Sequence, residues 1–391
     1  MKLTGARLAL TAEHSPRADL SIRRGKIEAF NTSRSDSFAL DLSGHLILPG
    51  LINSHDHLEF NLFPRLGKGP HANYVEWAAE VYQPDSSLLK PYLAVPKPIR
   101  LTWGGLKNLL SGVTTVAHHN PYEPGVFGAG FPVRVVRRYG WAHSLHFSSD
   151  IALRYSTTPH DRPFLVHAGE GTCEKATAEI YALDEMKLLT DRTALIHGVA
   201  LDSDGVKMLR RRGTSLIWCP SSNGFTLGRT LRGDILQSGL KIALGTDSAM
   251  TGEGDLIDEL RVAGSFAEVT PKRLYEMVTT TAAQILRLNR GEGQIREGGV
   301  ADLVAVEDDG AKPSARLSDL KPELVVLGGK IKMASRRLAD RLPARRKLGL
   351  EPISIEGRGD YMVAANIKEL YGCLASNLGP SFRLAGKRVS L

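Results

Sequence analysis

Short apolar runs that each stop at a chemically active side chain most restrict how this 391-residue chain folds. Seven recur after Leu46: LILPGLINSHDH, GVTTVAHHN, YGWAHSLHF, PFLVHAGE, TALIHGVAL, TSLIWCPSSN and KIALGTDSA. Their continuous apolar character suits strands buried on both faces, as in a parallel sheet. Segments between them, such as EKATAEIYALDEMKLL and SDGVKMLRRRG, have helical composition. Strand alternating with helix predicts an α/β fold, either a barrel or a doubly wound sheet. The run ends decide between the two, because they carry His55, His57, His118, His119, His146, His167, Glu170, His197, Asn223 and Asp247. A (β/α) barrel draws its site from the C-terminal ends of all its strands. A doubly wound sheet concentrates polar groups at one switch point and usually carries a Gly-rich phosphate turn, which this sequence lacks.

The expected fold is therefore α/β: a TIM-like (β/α) barrel over residues 49–289. Only 15 residues separate HSLHF (143–147) from PFLVH (163–167), too few for a helix plus a full fourth strand. Either one βα unit is reduced to an irregular segment, or the eighth strand comes from elsewhere. Residues 1–48 read as short strands with a hairpin turn at Arg24-Gly25-Lys26, and strand-turn character returns near residue 290. Segments 1–48 and 290–345 are expected to pair as a small β-sandwich. Residues 346–391 form a C-terminal extension, with VAANIKELYGCLASNL read as a helix and LAGKRVSL as strand-like.

Charge and cysteine usage narrow the function class. Most of the +8 net charge lies between Lys330 and Lys347, where eight basic residues face one acid. That reads as a solvated surface stretch, because a nucleic-acid footprint is broader and interleaved with stacking aromatics. Cys173, Cys219 and Cys373 are odd in number and widely spaced, which argues against a disulfide framework and for a reducing cytoplasm. No apolar run reaches the roughly 18 residues needed to span a bilayer, and the N-terminus lacks the apolar region of a secretory signal. The expectation is a cytoplasmic enzyme for a small-molecule substrate, with no nucleic-acid or membrane partner and homo-oligomerisation left open.

His55 and His57 form His-x-His at a strand end, and residues two apart on a strand share a face, so both imidazoles reach one ion. With His167 and Asp247 they give a mixed nitrogen and oxygen donor set suited to Zn2+ or Fe2+ with room for a water. Such an ion lowers the pKa of bound water from 15.7 to near 7 and makes it a nucleophile.

PGLINSHDHLE (49–59), FLVHAGEG (164–171), ALIHGVAL (194–201), WCPSSN (218–223), ALGTDSA (243–249) and EGQIREGGVADLVAVE (292–307) together resemble the amidohydrolase superfamily. HAGE and PSSN are most similar to its branch of cytosine, guanine and S-adenosylhomocysteine deaminases and triazine chlorohydrolases. The resemblance covers about residues 1–345. It implies a metal-dependent hydrolase with His55, His57, His167 and Asp247 as ligands and Glu170 as proton shuttle. It further implies that His197 orients the water or the adduct, and that Asp247 doubles as a base. Binuclear members use a carboxylated lysine on the fourth strand, and no lysine occurs between Lys107 and Lys175. One divalent ion per chain is therefore expected.

Substrate contacts are expected from Glu59, placed on the strand face of His57, from His118 and His119, and from Asn223. His118 and His119 are adjacent on a strand, so one should face the mouth and the other pack. His143 and His146 are odd-spaced and should likewise diverge. The segment between 60 and 100, with His71 and Trp77, reads as a lid. The leading expectation is hydrolytic deamination of a nitrogen heterocycle. The alternatives are hydrolysis of a ring amide or a C–Cl or C–O bond by the same machinery and, more remotely, a non-catalytic scaffold.

Overall fold

The computed structural model describes residues 1–32, 38–83 and 86–391. Eight parallel strands follow in chain order: Leu51–Asp56, Val113–His118, Arg134–Val135, Gly140–Ala142, Phe164–Ala168, Thr193–His197, Ser215–Trp218 and Ile242–Leu244. The first three form one sheet and the last five another. Strands one, two and five to eight are buried at every residue. This explains why the runs show no polar alternation. Ile52, Ala117, Leu165, Ala194, Ile217 and Ala243 pack in one cluster, while Leu51, Val116, Val166, Leu195, Leu216 and Leu244 pack in another, so neither face meets water.

The strand count differs from the sequence expectation. The strand without a matching run is the third, Arg134–Val135, only two residues long, and it pairs in parallel with strand two at Thr115 and Val116. The short interval 148–162 holds a helix, Ile151–Thr157, and no strand. The reduced connection is instead 136–139, between strands three and four, which contains no helix. A two-residue strand offers too little apolar sequence to register as a run. Among the described residues no ladder joins strand three to strand four, and none joins strand eight to strand one. The first and last strands nevertheless meet at their C-terminal ends. Thr246 N and Asp247 N both donate to His55 O, at 2.9 and 3.1 Å. Gly245 permits this approach, because a Cβ there would stand 2.6 Å from that of His55.

The N-terminal segment supplies a four-stranded sheet, and its strands Arg7–Leu8 and His45–Pro49 join a nine-stranded sheet built largely from residues after 300. Leu3, Leu20, Ile22 and Ile27 share one core with Leu303, Leu324 and Val326. Arg24 and Gly25, at φ 49° and 79°, make the tight turn between strands Leu20–Arg23 and Lys26–Phe30. Residues 351–390 extend the same sheet with strands Glu351–Ile355, Gly359–Val363, Arg383–Leu384 and Lys387–Ser390 around a helix, Ile367–Leu378. Most of the basic stretch is exposed, with one buried exception. Lys332 is buried and donates to Ala129 O and Phe131 O, while Arg337 pairs with Glu307 and Glu323. Among the described residues no helix is long and apolar enough to cross a membrane.

Candidate metal centre

The ends of strands one, five, six and eight bring His55, His57, His167, His197 and Asp247 together. His55 Nε2 lies 3.2 Å from His167 Nε2 and 3.7 Å from Asp247 Oδ1, and His57 Nε2 is also 3.7 Å from that oxygen. A tetrahedral ion with bonds of about 2.0–2.2 Å sets its donors about 3.3–3.6 Å apart, and these separations lie within about 0.1 Å of that range. Protonation favours the same conclusion. Burial, with neighbouring imidazoles, holds His57 and His167 well below the usual imidazole range, so both present lone pairs. Burial alone would raise Asp247, but its hydrogen bond to His55 and the nearby His197 and His57 hold it well below the usual carboxylate range. Among the described residues the Nδ1 atoms of His55 and His57 have no hydrogen-bond partner, whereas His167 Nδ1 is fixed on His143 O at 2.7 Å.

Local backbone turns aim these groups. His197 and Asp247 have φ of 76° and 54°, in the left-handed region, which costs of order 1–3 kcal/mol each and marks functional positions. Three donors hold the Asp247 carboxylate: Ser248 N at 2.8 Å, Ser222 Oγ at 2.7 Å and Thr251 Oγ1 at 3.1 Å.

Glu170 lies beside this group, buried, with Oε2 3.4 Å from His197 Nε2. Burial, then the charges of Asp247 and Glu179, push it well above the usual carboxyl range. Glu179, on the helix Glu174–Glu185, accepts from Gly169 N and from Tyr74 Oη, which ties the Glu170 loop to the helix Tyr74–Val81. Burial holds His197 at about 3, hence neutral, and Asn223 Nδ2 donates to its Nδ1 at 2.8 Å. Its Nε2–H is thereby left for Glu170 or a reacting group. Asn223 thus engages His197 through Nδ2, while its buried Oδ1 has no hydrogen-bond partner among the described residues.

Two expected substrate contacts need correction. Strand one ends at Asp56, and Glu59 sits in a single helical turn, Leu58–Phe60, so it does not share the strand face of His57. Its carboxylate meets His118 Nε2 at 3.3 Å instead. His118 also accepts from Leu58 N at 3.2 Å and packs against Phe127, away from the cluster. His119 turns the other way, with its ring 4.4 Å from that of His167 and Nε2 on Ala142 O at 3.0 Å. Both are buried, so neither lines an open mouth. His143 and His146 lie in a loop beyond the two-face alternation of a strand, and both flank Phe147, with ring centroids 5.0 and 4.7 Å away. In the segment expected to act as a lid, His71 pairs with Glu80, and Trp77 Nε1 donates to Leu66 O. His118→Ala should strand the buried Leu58 N–H and lower stability by about 1–3 kcal/mol with turnover retained. His119→Ala should cut turnover with the fold intact. Urea unfolding and steady-state kinetics check the pair, and equal mild effects would contradict the geometry.

A polar network under the site escaped sequence reasoning. Asp56, between the two histidines, accepts from Asn61, Asn108, Thr246 and Asn53 at 2.6–3.2 Å and pairs with Lys107 Nζ at 3.2 Å. Its only sequence signal is polar residues in apolar settings: Asn53 inside LINSHD, and Lys107-Asn108 within an otherwise apolar stretch of the helix Lys97–Leu110.

The model of the Amidohydrolase family matches residues 155–332. Among curated relatives, the 5-methylthioadenosine/S-adenosylhomocysteine deaminase of Thermococcus kodakarensis is 25% identical, over 74% of this chain and 81% of its own. The protein of the same name from Haloquadratum walsbyi is 26% identical, over 69% and 73%. In fold, the chain resembles a mutant atrazine chlorohydrolase from Arthrobacter aurescens TC1, solved with zinc and atraton. The TM-score is 0.72 at 18% identity, covering 96% of this chain and 99% of that one. An adenosine deaminase from Xanthomonas campestris with bound zinc gives a TM-score of 0.65 at 16% identity, over 87% and 97%.

Proposed function

We propose that this chain, a member of the amidohydrolase superfamily, is a hydrolytic deaminase that releases ammonia from an amidine-like carbon of a nitrogen heterocycle. One divalent ion, zinc ahead of iron(II), is assigned to His55, His57, His167 and Asp247. The observation that carries the reading is that His55, His57 and Asp247 converge within 4.8 Å of one another and His55 also converges with His167 and His197, while buried Glu170 groups with His197 and Asp247 beside them. Relatives named as deaminases, and neighbours solved with zinc, support it. The count of one rests on the lack of a bridging lysine between Lys107 and Lys175. A bound ion supplies Lewis acidity and makes water nucleophilic near pH 7.

The remaining chemistry belongs to the chain. Glu170 takes a proton from the attacking water and delivers it to the leaving nitrogen. Neutral His197, held in one tautomer by Asn223, donates its Nε2–H towards the charge that develops on the adduct. Asp247 would complete the ion's ligands and is assigned as the second base, with Oδ2 4.0 Å from His197 Nε2. Behind His167 stand His119, with its ring 4.4 Å away, and the half-buried His143, held neutral at about 4 chiefly by burial.

In this reading the eight strands form a TIM-like barrel over 49–289 with one reduced unit. Segments 1–48 and 290–345 make a β-sandwich, and 346–391 is an added layer. The three free cysteines suit a reducing cytoplasm. Metal analysis of the purified protein, with ammonia release measured on purine nucleosides and their 5′-thio derivatives, pterins and triazines, tests the proposal. One ion per chain, lost in His55→Ala, and ammonia from at least one aminated ring are expected. Chloride or alkoxide release without ammonia would replace deamination by the alternative bond cleavage. Two ions would overturn the single-ion assignment, and no ion in metal-rich growth would overturn the enzyme reading.

A further inference from the structure

The C-terminal segment 351–390 lies outside the stretch matched by the family model. It touches the chain on both sides of the junction between strand eight and strand one, the place where no ladder forms among the described residues. On one side stands the helix Lys97–Leu110, which links strands one and two. Its buried Trp103 donates Nε1–H to Arg383 O at 3.2 Å, and its ring meets Phe382 edge-on at 5.6 Å. On the other side stands the helix Leu256–Gly264, which follows strand eight. Its N-cap, Asp255, is 1% exposed, and Arg358 from the extension pairs with it at 2.5 Å. Arg358 and Lys387 also lie 3.8 and 3.7 Å from Asp258 on the same helix.

Each helix leads from the extension to the metal donors. The first carries Lys107 and Asn108, which hold Asp56 between His55 and His57. The second carries buried Glu259, which accepts from Ser221, and the adjacent Ser222 donates to Asp247 at 2.7 Å. The His-x-His pair and Asp247 thus come from strands that share, among the described residues, two backbone hydrogen bonds at the site, both to His55 O, with the side chains of Asn53, Asp56 and Thr246 bonded beneath them. A brace that spans the two helices limits how far those strands separate.

We propose that residues 351–390 are a clasp across the strand-eight/strand-one junction, and that Arg358 is a positioning residue that holds Asp247 in register with His55 and His57. The inference rests on reading those residues as a metal centre. Arg358 touches neither substrate nor donors; it acts through the helix that Asp255 caps. A guanidinium is suited to the task, because it spans two carboxylates with fixed donor directions.

Cobalt(II) loading of the metal-stripped full chain tests this, since the intensity and position of the visible band report coordination geometry. Arg358→Met should weaken cobalt binding roughly 10–100-fold, the scale seen when residues that orient ligands are lost, and alter the band. Arg358→Lys should recover most of the affinity. Wild-type affinity and an unchanged band in Arg358→Met would overturn the proposal, whatever its melting temperature. If Arg358→Met does not fold, Trp103→Phe, which removes the N–H to Arg383 from the other side, carries the comparison. Unaltered cobalt binding and an unchanged band in Trp103→Phe would likewise overturn it. Wild-type protein that binds no cobalt sensitive to His55→Ala would defeat the metal reading itself, a result distinct from a clasp that proves irrelevant.

Discussion

Glu170→Gln lowers turnover by roughly 10²–10⁴-fold, the usual contribution of a positioned general acid and base. The amide keeps the size of the side chain and can still bond His197 Nε2 across the present 3.4 Å. What it cannot do is gain and lose a proton. Metal content stays at the wild-type level, because Glu170 is not among the four assigned donors. Substrate affinity also survives, since the lost interaction acts in the transition state and lowers kcat more than it raises KM. The pH profile supplies a second check. Burial, with the charges of Asp247 and Glu179, shifts the acid upwards, so the carboxylate that accepts a proton from water accumulates only as pH rises through that shifted value. The rate therefore climbs along an acidic limb in the wild type, and the limb disappears in the Gln variant. Near-normal turnover, or loss of metal together with activity, would remove Glu170 from this role.

How far the sequence reached depended on whether a residue's partner lies nearby along the chain. Run ends are local, so the cluster of His55, His57, His167, His197 and Asp247 could be proposed from strand endings before any geometry was known. The parallel character was legible for the same reason, since burial on both faces leaves continuous apolar runs. The two-residue third strand was not legible, because Arg134–Val135 carries too few side chains to make a pattern. Glu59 was misplaced because a period of two was carried past the end of the strand into a helical turn. Nothing in the sequence reveals that the Asn223 amide meets His197, 26 residues earlier. The Asp56 network was invisible on larger grounds: its members come from strand one, the following helix and strand eight, and only folding brings them together.

That network carries the largest expected effect on stability. Lys107 is 2% exposed and Asp56 0%, and their charges stand 3.2 Å apart. Breaking such a pair from one side leaves a buried charge without its counter-ion, which costs about 3–5 kcal/mol. Asn61, Asn108, Asn53 and Thr246 still donate to Asp56 after Lys107→Met, so the lower end of that range is expected. Against a total stability of about 5–15 kcal/mol, this is a large fraction. Lys107→Met/Asp56→Asn should recover much of the loss, because a neutral amide of the same shape needs no counter-ion. Urea unfolding of the two single variants and the double variant makes a cycle, and a coupling near zero would show that the pair contributes little. The metal site responds as well. Lys107 Nζ also reaches Thr246 Oγ1 at 3.3 Å, and Thr246 precedes Asp247, so the single variant loosens a tether next to one assigned ligand while Asp56 strains between two others. Zinc retention against a chelator should therefore fall in Lys107→Met and return in the double variant, in parallel with stability.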